Sequence, residues 1–244
     1  MKQDMRHMLT NKRFLISFFS ALFIIFLIQG RSVAQPTDLL ARSRQLLSRI
    51  KDYTAEGTMK TNVTFLKVPV SKVNVFYKKP DRIKIKSEKG ISFIPRGAVS
   101  LNISSLLEGN DFDVVGGGDI IYKGKNLTIA RLLPRSEDNP VIISQLYVDL
   151  QTGLVHKART TTKENGTYEL DFTYGKYASQ GLPDQILFSF DARDYKLPKG
   201  ITFDFDDGSG KKSITDKAKK GRGTALLVLS KYVINAGLPD SVFN

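Results

Sequence analysis

The chain has no cysteine and no tryptophan. Without cysteine there can be no disulfide, no thiolate nucleophile, no cysteine-ligated zinc and no iron–sulfur cluster. A lipid-acceptor cysteine behind an export signal is excluded with them. There are only two histidines, His7 and His156, so a histidine-built metal centre is not expected, and neither is any other cofactor. No serine occupies a G-x-S-x-G frame, and His156 has no recognisable nucleophile or orienting partner near it in the sequence. Asp204, Asp206, Asp207 and Gly208 lack the spacing and terminal glutamate of a calcium loop. Asp111 and Asp113 read as a solvated pair. Gly116-Gly117-Gly118 lacks the Gly-Lys-Ser/Thr ending of a phosphate loop. The residues therefore point away from catalysis, and the chain is expected not to be an enzyme.

What is present is charge of one sign. The 244 residues carry 37 Lys and Arg against 24 Asp and Glu, a net +13. Residues 1–34 hold five bases and one acid, so the remainder has 32 bases against 23 acids, or +9. Such a surface suits an anionic neighbour or is simply a solvated basic exterior. The bases are spread through alternating segments, and no nucleic-acid motif accompanies them, so nucleic acid is not an expected partner.

Residues 1–34 have the pattern of an export signal. Lys2, Arg6, Lys12 and Arg13 precede an apolar run at 14–28, and Ser32-Val33-Ala34 supplies the small residues of a cleavage site. The run is shorter than the ~20 residues of a membrane span. An uncleaved N-terminal anchor is the competing reading. The mature chain would be one domain, 35–244. Four Asn-x-Ser/Thr sequons begin at Asn62, Asn102, Asn126 and Asn165. A cysteine-free exported β-protein fits a bacterial periplasm better than a eukaryotic secretory route.

Residues 36–52 read as a helix, with Thr37 or Asp38 as its cap and Leu39, Leu46, Leu47 and Ile50 on one stripe. From Tyr53 the period is two. Met59, Val63 and Phe65 share a face. In the stretch 72–86 Val73, Val75 and Tyr77 oppose Lys72, Asn74, Phe76 and Lys78, and after the break at Lys79-Pro80-Asp81, Ile83 and Ile85 oppose Arg82, Lys84 and Lys86. This hairpin is apolar on one side and basic on the other. Residues 103–108, with Leu106 and Leu107, suggest one helical turn. Strands follow at 112–115, 120–123 and 127–132, then at 142–150 with Ile142, Leu146, Val148 and Leu150 on one face. Thr152-Gly153 turns into 154–162, and Asn165-Gly166 turns into 168–174. Strands at 185–190, 201–205 and 225–229 complete the count, with a Gly- and Lys-rich loop at 207–223 and a short tail.

The sum is a mainly β chain of about eleven strands with few helices. Two helices cannot cover so wide a sheet, so it must curl into an antiparallel barrel or half-barrel. Its interior is then either filled by large side chains or left as a ligand cavity.

At 75–86, Val-Phe-Tyr-Lys-Lys-Pro-Asp-Arg-Ile-Lys-Ile-Lys, the chain resembles the LolA/LolB family of bacterial lipoprotein carriers. The order around it also resembles that family: export signal, amphipathic helix, two strands, this hairpin, and later a Gly-turn hairpin at 146–159. The family's common Asp-Gly-Lys-aromatic stretch is replaced by Lys89-Gly90-Ile91-Ser92-Phe93. The resemblance implies an unclosed β-barrel with a helical lid, holding acyl chains in an apolar cavity. It implies a soluble, monomeric periplasmic shuttle for outer-membrane biogenesis, moving acylated lipoprotein or lipid between an inner-membrane release complex and an outer-membrane acceptor. The expected lining is Met59, Val63, Phe65, Val73, Val75, Tyr77, Ile83, Ile85, Leu146 and Val148. The expected lid residues are Leu39, Leu46, Leu47, Leu106 and Leu107. The alternative is a non-catalytic structural or sensory module of the cell envelope that binds lipid or a partner.

Overall fold

A computed structural model describes residues 36–63, 66–67, 70–88, 103–108, 111–149, 151–191 and 222–243, all within the unit Gln35–Asn244. The expected export signal at 1–34, the strand at 201–205 and nearly all of the loop at 207–223 lie outside the described residues. So do Phe65 and the side chains of Leu39 and Val63.

The elements run α1 (Pro36–Ser48), β1 (Asp52–Val63), β2 (Leu66–Lys67), β3 (Ser71–Lys78), β4 (Arg82–Ser87), α2 (Ile103–Glu108), β5 (Phe112–Tyr122), β6 (Lys125–Pro134), β7 (Val141–Asp149), β8 (Val155–Thr162), β9 (Gly166–Thr173), β10 (Gln185–Asp191) and β11 (Arg222–Ile234). Ten strands form one sheet in the order β4-β3-β1-β11-β10-β9-β8-β7-β6-β5, and β2 pairs with β1. Every pairing is antiparallel. Among the described residues β4 and β5 end the path and do not pair with each other, so the sheet is not closed. The expected class, a mainly β unclosed antiparallel barrel with few helices, is the observed one.

Alternation decides which face is filled. In β3, Ser71, Val73, Val75 and Tyr77 are buried while the residues between them are not. In β9, Tyr168, Leu170 and Phe172 do the same. With Ala55, Leu132, Leu146, Phe188, Phe190 and Leu227 these side chains form one core on the concave face. Aromatic rings thicken it: Tyr168 and Phe188 lie 5.6 Å apart, and Phe188 and Phe190 5.2 Å apart. Much of the interior is thus filled by the protein's own side chains. The helix α1 lies against β5, β6 and α2. It buries Leu40 and Ser43, three residues apart on one helical face; Ile50, just beyond its end, is buried too.

Four local expectations are corrected. The helix starts at Pro36, whose fixed φ suits a first helical position, so Thr37 and Asp38 lie inside its first turn rather than capping it. It ends at Ser48, because Asp52 already pairs with Lys78 in the sheet. The glycines 116–118 do not separate two strands. They form a bulge within the single strand β5, with Gly118 at φ 81° and a register shift against β6. Ile142 points outward at 49% exposure, because an irregularity between Val141 and Ile143 carries the inward row onto Val141 and Ser144.

The register of β1 on β11 also shifts, between Glu56 and Gly57. A Cβ at Gly57 would lie 2.2 Å from the Val228 carbonyl oxygen, a backbone atom of a central strand. Gly57→Ala is expected to cost about 1–3 kcal/mol, measured as a lower urea midpoint with unchanged slope; an unchanged midpoint would show that this strand pair yields freely.

Candidate functional site

A single turn separates α1 from β1, so the C-terminal part of the helix looks across at one end of β1, β3, β9, β10 and β11. Between them lies a cavity of about 60 Å³. Since about 10–15 Å³ of such space accommodates one water, it has room for only a few small groups. Leu46 and Leu47 of α1, and Ile50 just beyond its end, form the roof with Leu107 of α2. Tyr53, Tyr77, Phe172, Tyr174 and Tyr232 form much of the floor, and Gly153, Leu154, Leu182 and Pro183 the rim. Among the described residues no charged one lines it.

The floor is a connected set of rings. Tyr53 lies 5.1 Å from Tyr77 and 5.3 Å from Tyr232, and Tyr232 lies 4.8 Å from Tyr177. Two of the floor hydroxyls are tied off at the walls. The Tyr174 hydroxyl donates to the Val155 carbonyl at 2.8 Å, and the Tyr232 hydroxyl to the Pro183 carbonyl at 2.7 Å. Burial pushes the Tyr53, Tyr174 and Tyr232 hydroxyls well above the usual phenol range, so the floor stays neutral at any physiological pH.

The roof is fixed in two ways. Midway along α1, the Ser43 hydroxyl donates to the Gly153 carbonyl at 2.5 Å and Arg42 to the Gln151 carbonyl at 2.8 Å. Arg44 donates to the Leu107 carbonyl and joins the two helices. At the C-terminal end the carbonyls are satisfied from elsewhere: Lys79 donates to Ser48 at 3.2 Å, and the Asn235 amide to Arg49 at 2.8 Å. Asn235 also accepts from the Lys51 N–H at 2.7 Å. The joint to β1 is thus anchored, while the middle of the helix rests on a few bonds to a turn.

The structure brings Leu46, Leu47, Leu107 and Tyr77 to the cavity. Met59, Val73, Val75, Leu146, Val148 and Leu106 are buried in the adjoining core and do not form its walls. Ile83 and Ile85 are half-buried against that core. Sequence reasoning missed Tyr53, Phe172, Tyr174 and Tyr232. A usable signal existed, for each stands at or near the end of an apolar alternating run.

His156 sits beside the site. Its Nε2 is 3.7 Å from an Asp149 carboxylate oxygen, and its ring meets Tyr174 edge-on at 5.4 Å. Burial and the nearby Lys125 charge hold the imidazole below its usual range, against the pull of Asp149. Burial would raise Asp149, but N–H groups of Gln151 and Thr152 and the His156 charge hold it below the carboxylate norm. Asp113 pairs with Arg135 at 2.8 Å. Among the described residues no three His, Asp or Glu side chains converge as a metal site.

No family model matches the chain, and no curated protein matches it in sequence. Solved structures do match in fold. A DUF1329 family protein from Desulfovibrio piger aligns at TM-score 0.55 and 14% identity, over 86% of this chain and 95% of that one. An outer membrane lipoprotein-sorting protein domain from Vibrio parahaemolyticus aligns at 0.51 and 11%, over 84% and 95%. A LolA superfamily protein from Nitrosomonas europaea aligns at 0.52 and 9%, over 87% and 98%. The chain has a LolA-like fold.

The depressed His156 predicts a pH response. The unfolded chain protonates this imidazole near 6.5, while the folded chain resists. Stability is therefore complete above that pH and falls as pH drops below it. The carboxylates contribute their own loss only lower, below 3.8. His156→Gln is expected to flatten the segment just below pH 6.5 in urea-unfolding series and leave the acid limb; an unchanged profile would assign that segment to other groups.

Proposed function

We propose that the protein is a non-catalytic carrier of the bacterial cell envelope that takes an acyl chain of a lipoprotein or lipid between α1 and the concave sheet. The observation that carries this reading is an uncharged cavity with an aromatic floor, roofed by a helix whose middle rests on the 151–153 turn. Each methylene withdrawn from water into such a space contributes ~0.8 kcal/mol. A fatty tail needs far more room than about 60 Å³, so loading requires α1 to leave the turn; its bonds to the turn oppose that by about 0.5–1.5 kcal/mol each, and the burial of Leu40 opposes it as well. The lipoprotein-sorting name of a neighbouring fold and the signal-like segment at 1–34 support an exported, periplasmic shuttle. Such a shuttle would collect cargo at an inner-membrane release complex, deliver it to an outer-membrane acceptor and act as a monomer.

The small volume favours a second reading, in which the filled interior is final and the domain is a structural or sensory module of the envelope. One experiment separates the two. A Cβ built on Gly153 lies 3.2 Å from the Arg42 Cβ, close to the ~3.5–4.5 Å separation a disulfide spans, and the chain has no other cysteine to interfere. The double variant Arg42→Cys, Gly153→Cys is expected to bind a dansyl-labelled undecanoic acid when reduced and to lose at least about tenfold in affinity when oxidised, reversibly. Equal binding in both redox states, or none in the wild type, would favour the module. Leu47→Glu, which places a charge in the roof, is expected to weaken the same probe about tenfold or more, with the circular dichroism spectrum unchanged.

A further inference from the structure

The same alternation that fills the concave face builds a second surface on the other side. Where Val73, Val75 and Tyr77 turn inward, Lys72, Phe76 and Lys78 turn outward. The register then sets Lys84 and Phe76 in one row with Val233 of β11. The next row holds Lys86 and Lys231, and a third Lys78 and Arg82. Lys60 and Lys72 extend the field on β1 and β3. Seven cations therefore share the outward face of β4, β3, β1 and β11, a patch about 14 Å across the strands and about 27 Å along them.

Three carboxylates among the described residues offset part of this charge, one of them Glu88, exposed and level with Lys72 where its N–H donates to the Lys72 carbonyl at 3.1 Å. Glu56 meets Lys231 at 3.2 Å. Asp240, from the C-terminal turn, meets Lys78 at 2.5 Å and Arg82 at 2.9 Å. Lys60, Lys72 and Lys86 are exposed, and none has a carboxylate in ion-pair range among the described residues. The patch is not purely polar either: Val233 is 44% exposed, and Phe76 lies half-buried under the Lys86 ammonium, 5.4 Å from its ring centre.

We propose that this outward face docks the protein on an anionic lipid bilayer. Six of the seven cations are lysines, which act as mobile point charges rather than as the planar forks that read individual phosphates. A fluid layer of anionic head groups needs only that density of charge, held within a Debye length of the surface. Phe76 and Val233 supply apolar atoms at the depth where head groups meet tails. Nucleic acid fits the face less well, because the Phe76 and Phe243 rings already lie against the Lys86 and Arg82 cations and are no stacking platform. The proposal is independent of cargo: it concerns the convex side and stands whether or not the cavity takes an acyl chain.

The test is lysine labelling of the full chain by reductive dimethylation, read site by site by mass spectrometry. Site resolution matters because the apolar run at 14–28 gives the whole chain a second route to lipid. With vesicles of equal parts phosphatidylglycerol and phosphatidylcholine, labelling at Lys60, Lys72 and Lys86 is expected to slow about threefold or more. Lys123 and Lys163, at distant hairpins, should be unaffected, as should Lys60, Lys72 and Lys86 with pure phosphatidylcholine. Raising salt to about 0.5 M should abolish the protection. In the exposed double variant Lys72→Glu, Lys86→Glu, Lys60 should lose its protection while the circular dichroism spectrum stays that of the wild type. No slowing, equal slowing on neutral vesicles, or slowing at Lys123 and Lys163 instead would overturn the proposal. So would stronger protection of the same lysines by duplex DNA or polyglutamate than by the anionic vesicles.

Discussion

The pairing of β1 with β11 is the constraint on which the rest of the molecule depends. It joins the first strand to the last described one, and it places both next to the site. Asp52 and Asn235, 183 residues apart, meet at its end. The Asn235 N–H donates to the Asp52 carbonyl, its side chain bridges Lys51 and Arg49, and the Gly237 N–H donates to the Asp52 carboxylate. Asn235 adopts φ 57°, a left-handed conformation that asparagine tolerates better than most residues. Beyond β3 and β4, all remaining strands follow the chain as a simple meander. Only this long-range ladder turns that meander and the first hairpin into one sheet, and its closure entropy must be met before any cavity exists.

The site follows from this join. The aromatic floor gathers residues that alternation places at one end of several strands: Tyr53 opens β1, Tyr77 ends the inward row of β3, Tyr174 follows β9 and Tyr232 lies near the end of β11. None of these ends would meet without β11 between β1 and β10. The same junction supplies Asn235 to the carbonyls behind α1, so the strand that completes the sheet also steadies the base of the roof. The C-terminal turn makes a comparable tie on the other side of the hairpin, where Asp240 holds Lys78 and Arg82 and Phe243 lies 5.2 Å beneath the Arg82 guanidinium.

Much of the architecture was legible in the residues. Period-two runs located β3, β4, β7 and β9, and Asn165-Gly166 and Thr152-Gly153 located two hairpins. The misreadings have physical causes. Three glycines in a row read as a break, yet glycine is also what a bulge needs when a strand must bend and continue. Periodicity assigns a side chain to a face but not to a distance along a curled sheet. Val73 and Val75 share the inward face with Tyr77, but only Tyr77 reaches the space under α1. The walls contributed by Leu154, Leu182 and Pro183 come from turns, where no periodicity exists to be read. The long-range register that gathers the tyrosines is likewise absent from any local pattern.

The unjoined ends of the sheet have a mechanical meaning. A fully closed cylinder of strands has a girth set by its strand number and stagger, and it widens only by tearing ladder hydrogen bonds. Here, among the described residues, β4 and β5 stand at opposite ends of the path with no ladder between them, and Ile83 and Ile85 of β4 and Phe112 and Val114 of β5 meet the same core by side-chain packing. The bore of this molecule can dilate by parting those contacts alone, leaving all ten antiparallel pairings intact.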